Sequence, residues 1–139
     1  MANHNGTQVA LIASGDEPDV CFVSGRLRVF VENIAYASQA SGDTLTVANL
    51  PAGALVLGFE LTTDTSTGTA TLSVGDGTTA AKYAAAAAYT TTGSPYNIGN
   101  TAGPLAGRLS AAGSIVLTIG TAALPSSGNL VFTTFYVVD

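Results

Sequence analysis

Few residues of this 139-residue chain could carry chemistry, and their spacing works against it. There is one histidine, His4, and one cysteine, Cys21. Nucleophilic catalysis needs a Ser or Cys with a histidine base and an orienting acid, all held within hydrogen-bond reach. His4 lies in a polar leader that is expected to be flexible, so no such arrangement is expected. A zinc site needs three or four Cys, His or carboxylate ligands, and one Cys with one remote His does not supply them. Cys21 sits in the apolar run Val20-Cys21-Phe22-Val23, which reads as a buried, inert thiol. Glu32 and Glu60 are the two acids within good strand patterns. Both fall opposite an apolar stripe, so they read as solvated surface acids rather than as a glycosidase pair. Gly75-Asp76-Gly77-Thr78 is a glycine-aspartate turn; a calcium site would want more carboxylates, so a hairpin turn is expected. No catalytic residue, cofactor or metal is expected, and the chain does not read as an enzyme.

Side chains suited to contact are easier to find. Tyr83, Tyr89 and Tyr96 cluster in the middle of the chain, either as a contact surface or as anchors of a loop onto the fold. Phe30 falls on the charged face of a strand and Phe135 on the second apolar face of another; both are candidate oligomer or partner contacts. The composition favours contact too. Only 13 residues are charged, against 23 Ala, 19 Thr, 16 Gly and 11 Ser. Soluble domains usually approach a quarter charged residues. A surface so poor in charge suits flat protein contacts, and a homo-oligomer is expected. Four basic residues and a net charge of −5 argue against direct nucleic-acid binding, which needs a run of Lys and Arg on phosphates. No stretch approaches the length of a membrane-spanning helix. The start of the chain lacks the positive cluster of a signal peptide, so the chain is expected to be made and used in the cytoplasm, or in something assembled there.

The elements that must hold these residues are strands. One domain is expected over residues 20–139, after an N-terminal arm at 1–19 broken by Ser14-Gly15-Asp16-Glu17-Pro18. Residues 26–32 alternate, with Leu27, Val29 and Val31 on the face expected to be buried. Residues 54–62 alternate as well, with Leu55, Leu57, Phe59 and Leu61 together. Asn49-Leu50-Pro51-Ala52-Gly53 supplies a turn between them and 44–48, predicting a hairpin. Further strands are expected at 69–74, around Ile115, Leu117 and Ile119, and from Leu130 to Val138. The last is apolar on both faces, which predicts a central strand whose second face is covered by a neighbouring subunit. The Ala-rich 79–89 reads as a short helical turn or irregular loop, and 90–113 as one long loop. Seven to nine short strands and almost no helix make this an all-β chain, a jelly-roll-like β-sandwich.

The run from Val74 to Ala87, followed by Thr90-Thr91-Thr92-Gly93-Ser94-Pro95, resembles a segment of small virion proteins of tailed bacteriophages. The turn and strand at 43–62 are similar, as are residues 123–128 and the aromatic last strand, so the resemblance covers about 43–139. It implies a capsid decoration (cement) protein that trimerises, binds the major capsid protein at the capsid surface and carries no catalytic residues. A carbohydrate- or receptor-binding module of a phage tail or fibre is the alternative; it would need the three tyrosines exposed as a platform. A secreted adhesin or hydrolase fragment is the least favoured, for want of a signal peptide and catalytic groups.

Overall fold

The structure, a computed structural model, describes residues 2, 7–17, 25–100, 102, 105 and 107–138. His4 and Cys21, and the expectations attached to them, lie outside the described residues. One helix, α1 (Thr7–Ser14), precedes eight strands: β1 (Arg26–Ala35), β2 (Thr44–Leu50), β3 (Leu55–Thr63), β4 (Thr71–Gly75), β5 (Ala84–Ala87), β6 (Tyr96–Ile98), β7 (Gly113–Gly120) and β8 (Asn129–Val138). They form two antiparallel four-stranded sheets, β1-β8-β3-β6 and β2-β7-β4-β5. The chain is an all-β sandwich. The helix was not expected from the weak patterning of the leader. It ends at Gly15 (φ 83°), where the Asp16 N–H donates to the Leu11 carbonyl at 2.9 Å.

The core lies between the sheets. Val56, Phe59, Leu61, Leu130 and Phe132 come from the first sheet, and Leu50, Leu72, Val74, Ile115, Leu117 and Ile119 from the second. Each such side chain, fully buried, contributes about 1.5–3 kcal/mol. Phe59 links the layers, with ring centroids 5.5 Å from Phe132 and 5.7 Å from Tyr83. At the corner after β3 a buried knot of hydroxyls forms: Thr63 Oγ1 lies 2.7 Å from the Tyr36 hydroxyl and 2.6 Å from the Thr65 carbonyl.

Four local expectations are corrected. The hairpin of 44–48 with 54–62 does not form, because β2 pairs with β7 while β3 pairs with β8 and β6. The Pro51–Gly53 turn exists, with Gly53 at φ 84°, but it is a corner between sheets. There Gly53 N–H donates to Leu109 O (2.7 Å) and Leu109 N–H to Ala54 O (2.8 Å). In β3, an irregularity between Val56 and Gly58 sets Val56, Phe59 and Leu61 into the main core, leaving Leu55 buried outside that core and Leu57 exposed. The Ala-rich segment is neither helix nor wholly loop: residues 84–87 pair with β4. Buried Tyr83 and Tyr89 hold its ends, and that tertiary pull outweighs alanine's helix propensity. The long loop 90–113 likewise contains β6, paired through Phe59–Ile98 and Leu61–Tyr96.

Candidate interaction surface

A fifth correction concerns β1 and defines the site. Its apolar stripe points outward: Leu27, Val29 and Val31 are 62, 53 and 57 % exposed. Phe30 and Ile34, on the opposite parity, pack against the core. Strict alternation fixes which residues share a face but not which face turns inward. Here the pairing with β8 decides it. Phe30 stands opposite Thr134 and Ile34 opposite Leu130, both buried, while Val29 stands opposite Phe135.

β8 lies between β1 and β3 and is apolar on both sides, as its sequence predicts. Leu130 and Phe132 face the core; Val131, Phe135 and Val137 face outward. Rows of outer-face neighbours therefore run across the sheet. Leu27, Val137 and Leu55 form one row, and Val29, Phe135 and Gly58 the next. Leu55 and Val137 make a small buried cluster apart from the main core. Beside it, Leu27, Leu57, Phe135, Gly58 and Asn97 line a shallow groove of about 390 Å³. Glu60, Thr62 and Thr133 give the face a polar margin. An apolar patch with a polar rim is the usual form of a protein contact surface.

The tyrosines behave differently. Tyr83 and Tyr89 are buried, and burial raises both phenol pKa values. Tyr96 is half-buried, meets Tyr89 edge-on at 4.9 Å, and accepts the Thr91 N–H on its hydroxyl at 2.6 Å. Anchoring, not display, is what these rings do, and they form no exposed platform. Phe30 is half-buried on the inner side, and Phe135 alone of the five candidates lies on the apolar outer face.

No chemical centre emerges among the described residues, where no three of His, Cys, Asp and Glu come together. Glu32 sits opposite buried Phe132 and Glu60 opposite Thr133, so the two carboxylates belong to opposite sides of the sheet. In the Gly75–Gly77 turn, Asp76 is occupied by protein donors. Its Oδ1 accepts the N–H groups of Thr78 (2.9 Å) and Thr79 (2.8 Å), and Oδ2 accepts Lys82 Nζ at 2.8 Å. Lys82, then the backbone donors, hold its pKa at about 2. The turn is tight because Gly75 lacks a Cβ; one there would lie 2.0 Å from the Thr79 carbonyl oxygen. Lys82 and Arg108, far apart in sequence, meet at a small cavity of about 160 Å³ with Tyr83 and Leu109. Nothing in their sequence surroundings signals that meeting.

No family model and no curated protein matches the chain. Three solved structures do. A chain from the cyanophage Pam1 capsid asymmetric unit is 22 % identical, with TM-score 0.58, covering 100 % of this chain and 92 % of that one. One from the capsid of Ralstonia phage GP4 is 18 % identical, with TM-score 0.68, covering 83 % and 86 %. One from the acidic stable capsid structure of Helicobacter pylori bacteriophage KHP30 is 16 % identical, with TM-score 0.53, covering 81 % and 87 %. At these identities the likeness is one of fold, and this chain has the sandwich found in chains of three bacteriophage capsid structures.

Proposed function

We propose that this chain is a structural protein of a bacteriophage virion, a decoration (cement) protein that acts as a trimer on the capsid surface and binds the major capsid protein. The observation that carries the reading is the fold likeness to capsid chains over 81–100 % of the sequence. The apolar outer face of the β1-β8-β3-β6 sheet supports it, being a surface suited to subunit and capsid contact. The strand order fits a jelly roll: every connection except β4 to β5 passes from one sheet to the other. In this reading residues 1–19, including α1 with exposed Val9 and Ile12, form an arm that orders on the capsid. Binding several capsid subunits at once would make their separation cost the sum of the contacts. The chemistry of the face gives no reason to invoke catalysis.

Two measurements test the reading. Light scattering on a size-exclusion column should give a mass of three 13.8 kDa chains or a whole multiple of three. Added to capsids of the encoding phage that lack it, the protein should cosediment, and Phe135→Asp should abolish this. A monomeric mass refutes the trimer, and failure of the wild-type chain to cosediment refutes the decoration role.

A further inference from the structure

β1 is an edge strand of ten residues, paired with β8 on one side and with no strand on its other side among the described residues. The opposite edge of the same sheet, β6, has three residues. A long edge presents a row of unpaired backbone N–H and C=O groups, a template for another strand. β1 also combines three exposed aliphatics on one face with Arg26, Arg28 and Glu32 on the other. The ion pair formed among the described residues is Lys82–Asp76, so neither arginine nor Glu32 has an ionic partner there.

We propose that β1 pairs antiparallel with β1 of a second copy, centred on Val29, to join two sheets into one eight-stranded sheet. In that register Arg26 stands opposite Glu32 of the second copy, and by two-fold symmetry the ion pair forms twice. On the outer face Leu27 meets Val31 of the second copy and Val29 meets its own equivalent, so two apolar rows merge. Arg28 stands opposite the Phe30 ring, a favourable cation–aromatic neighbour. Shifting the centre to Phe30 still pairs Arg28 with Glu32 but sets Leu27 against Asn33, breaking the apolar row. A parallel, in-register pairing would stack arginine on arginine. Charge and apolar matching together select the Val29-centred antiparallel register. The contact is two-fold, so it links copies from separate trimers, and it stands whether or not the assembly sits on a capsid.

The test is cross-linking, read on denaturing gels, in the full chain with Cys21→Ser. Directly opposed strand residues have Cα atoms about 4.5–5.5 Å apart, within disulfide range. Val29→Cys should therefore oxidise to a covalent dimer. Val31→Cys, equally exposed, lies four residues from its own equivalent, about 13 Å along the strand, and should cross-link at least about tenfold more slowly. Arg26→Glu added to Val29→Cys should slow dimer formation, and further addition of Glu32→Arg should restore it. Equal rates at 29 and 31, no dimer at either, faster cross-linking by Phe30→Cys, or indifference to Arg26→Glu would each overturn the proposal. In the last case the charges would be edge protection against pairing. A dimeric wild-type mass on the column, by contrast, would sink the trimer and leave this pairing standing, whereas a monomeric mass would count against both.

Discussion

Replacing threonine by valine keeps the side chain's shape and removes one hydroxyl, so its effect isolates what that hydroxyl does. Two threonines here are equally buried, Thr63 at 1 % exposure and Thr134 at 0 %, yet their surroundings are opposite. Thr63 Oγ1 is bonded to the Tyr36 hydroxyl, the Thr65 carbonyl and N–H, and the Asn129 carbonyl, at 2.6–3.2 Å. Valine there strips a partner from the buried Tyr36 hydroxyl and from Thr65, a loss of about 2–3 kcal/mol. Thr134 Oγ1 has no protein partner among the described residues, so valine there removes a desolvated dipole and gains about 1–2 kcal/mol. In urea at fixed protein concentration, with a slope of about 2 kcal/mol per M, the midpoints should move down by about 1–1.5 M and up by about 0.5–1 M. Tyr36→Phe combined with Thr63→Val should cost about 1 kcal/mol less than the sum of the two single changes. Midpoints shifted in the same direction by both valines, or an additive Tyr36/Thr63 pair, would refute the hydrogen-bond argument.

The remaining predictions concern pH and the tight turn. Asp76, held at about 2 rather than its ordinary 3.8, stabilises the fold above about pH 4, and that contribution disappears as pH falls towards 2. Solvent exposure of the Lys82 pair limits it to about 1 kcal/mol, and Asp76→Asn should flatten that acid limb in pH-dependent melting. Burial raises the pKa of Tyr36, Tyr83 and Tyr89, so their contribution is intact below about pH 10 and is lost as pH rises beyond it. Phenolate absorbance should show Tyr96, whose pKa is lowered by hydrogen bonds from Thr91, ionising before those three. Gly75→Ala would drive a Cβ into the Thr79 and Ala80 carbonyls, which are backbone and cannot swing aside; thermal melting should show a loss of about 2–4 kcal/mol.

Much of the sandwich is written in alternation. Ile115, Leu117 and Ile119 are all core residues, and the two-sided β8 is central, as its pattern requires. What failed did so for separable reasons. Turn residues at 51–53 specify that the chain reverses, but not which sheet receives the next strand. Alternation in β1 has two phases, and assigning the apolar one to the core placed Leu27, Val29 and Val31 inside when they form the outer face. The Ala-rich strand was hidden because its conformation is set by tyrosines at its ends, not by its own propensity. Of the contact residues, Phe135 was legible from the apolar excess of β8. Leu57 was not, because its position depends on a local break in pairing.

Both sheets take an interior strand from the last part of the domain: β7 separates β2 from β4, and β8 separates β1 from β3. Until residues 113–138 are synthesised, β1 and β2 have no partner at all. β1 and β2 therefore stay unpaired until then, whereas the β4–β5 hairpin and the β3–β6 pair can form from earlier parts of the chain. Closing loops that span most of the domain makes folding slow relative to local hairpins. That order leaves the β1 edge and the outer apolar face incomplete until β8 has paired. Unpaired edges of this kind template pairing with other chains, so the risk of strand exchange ends only when β7 and β8 have docked.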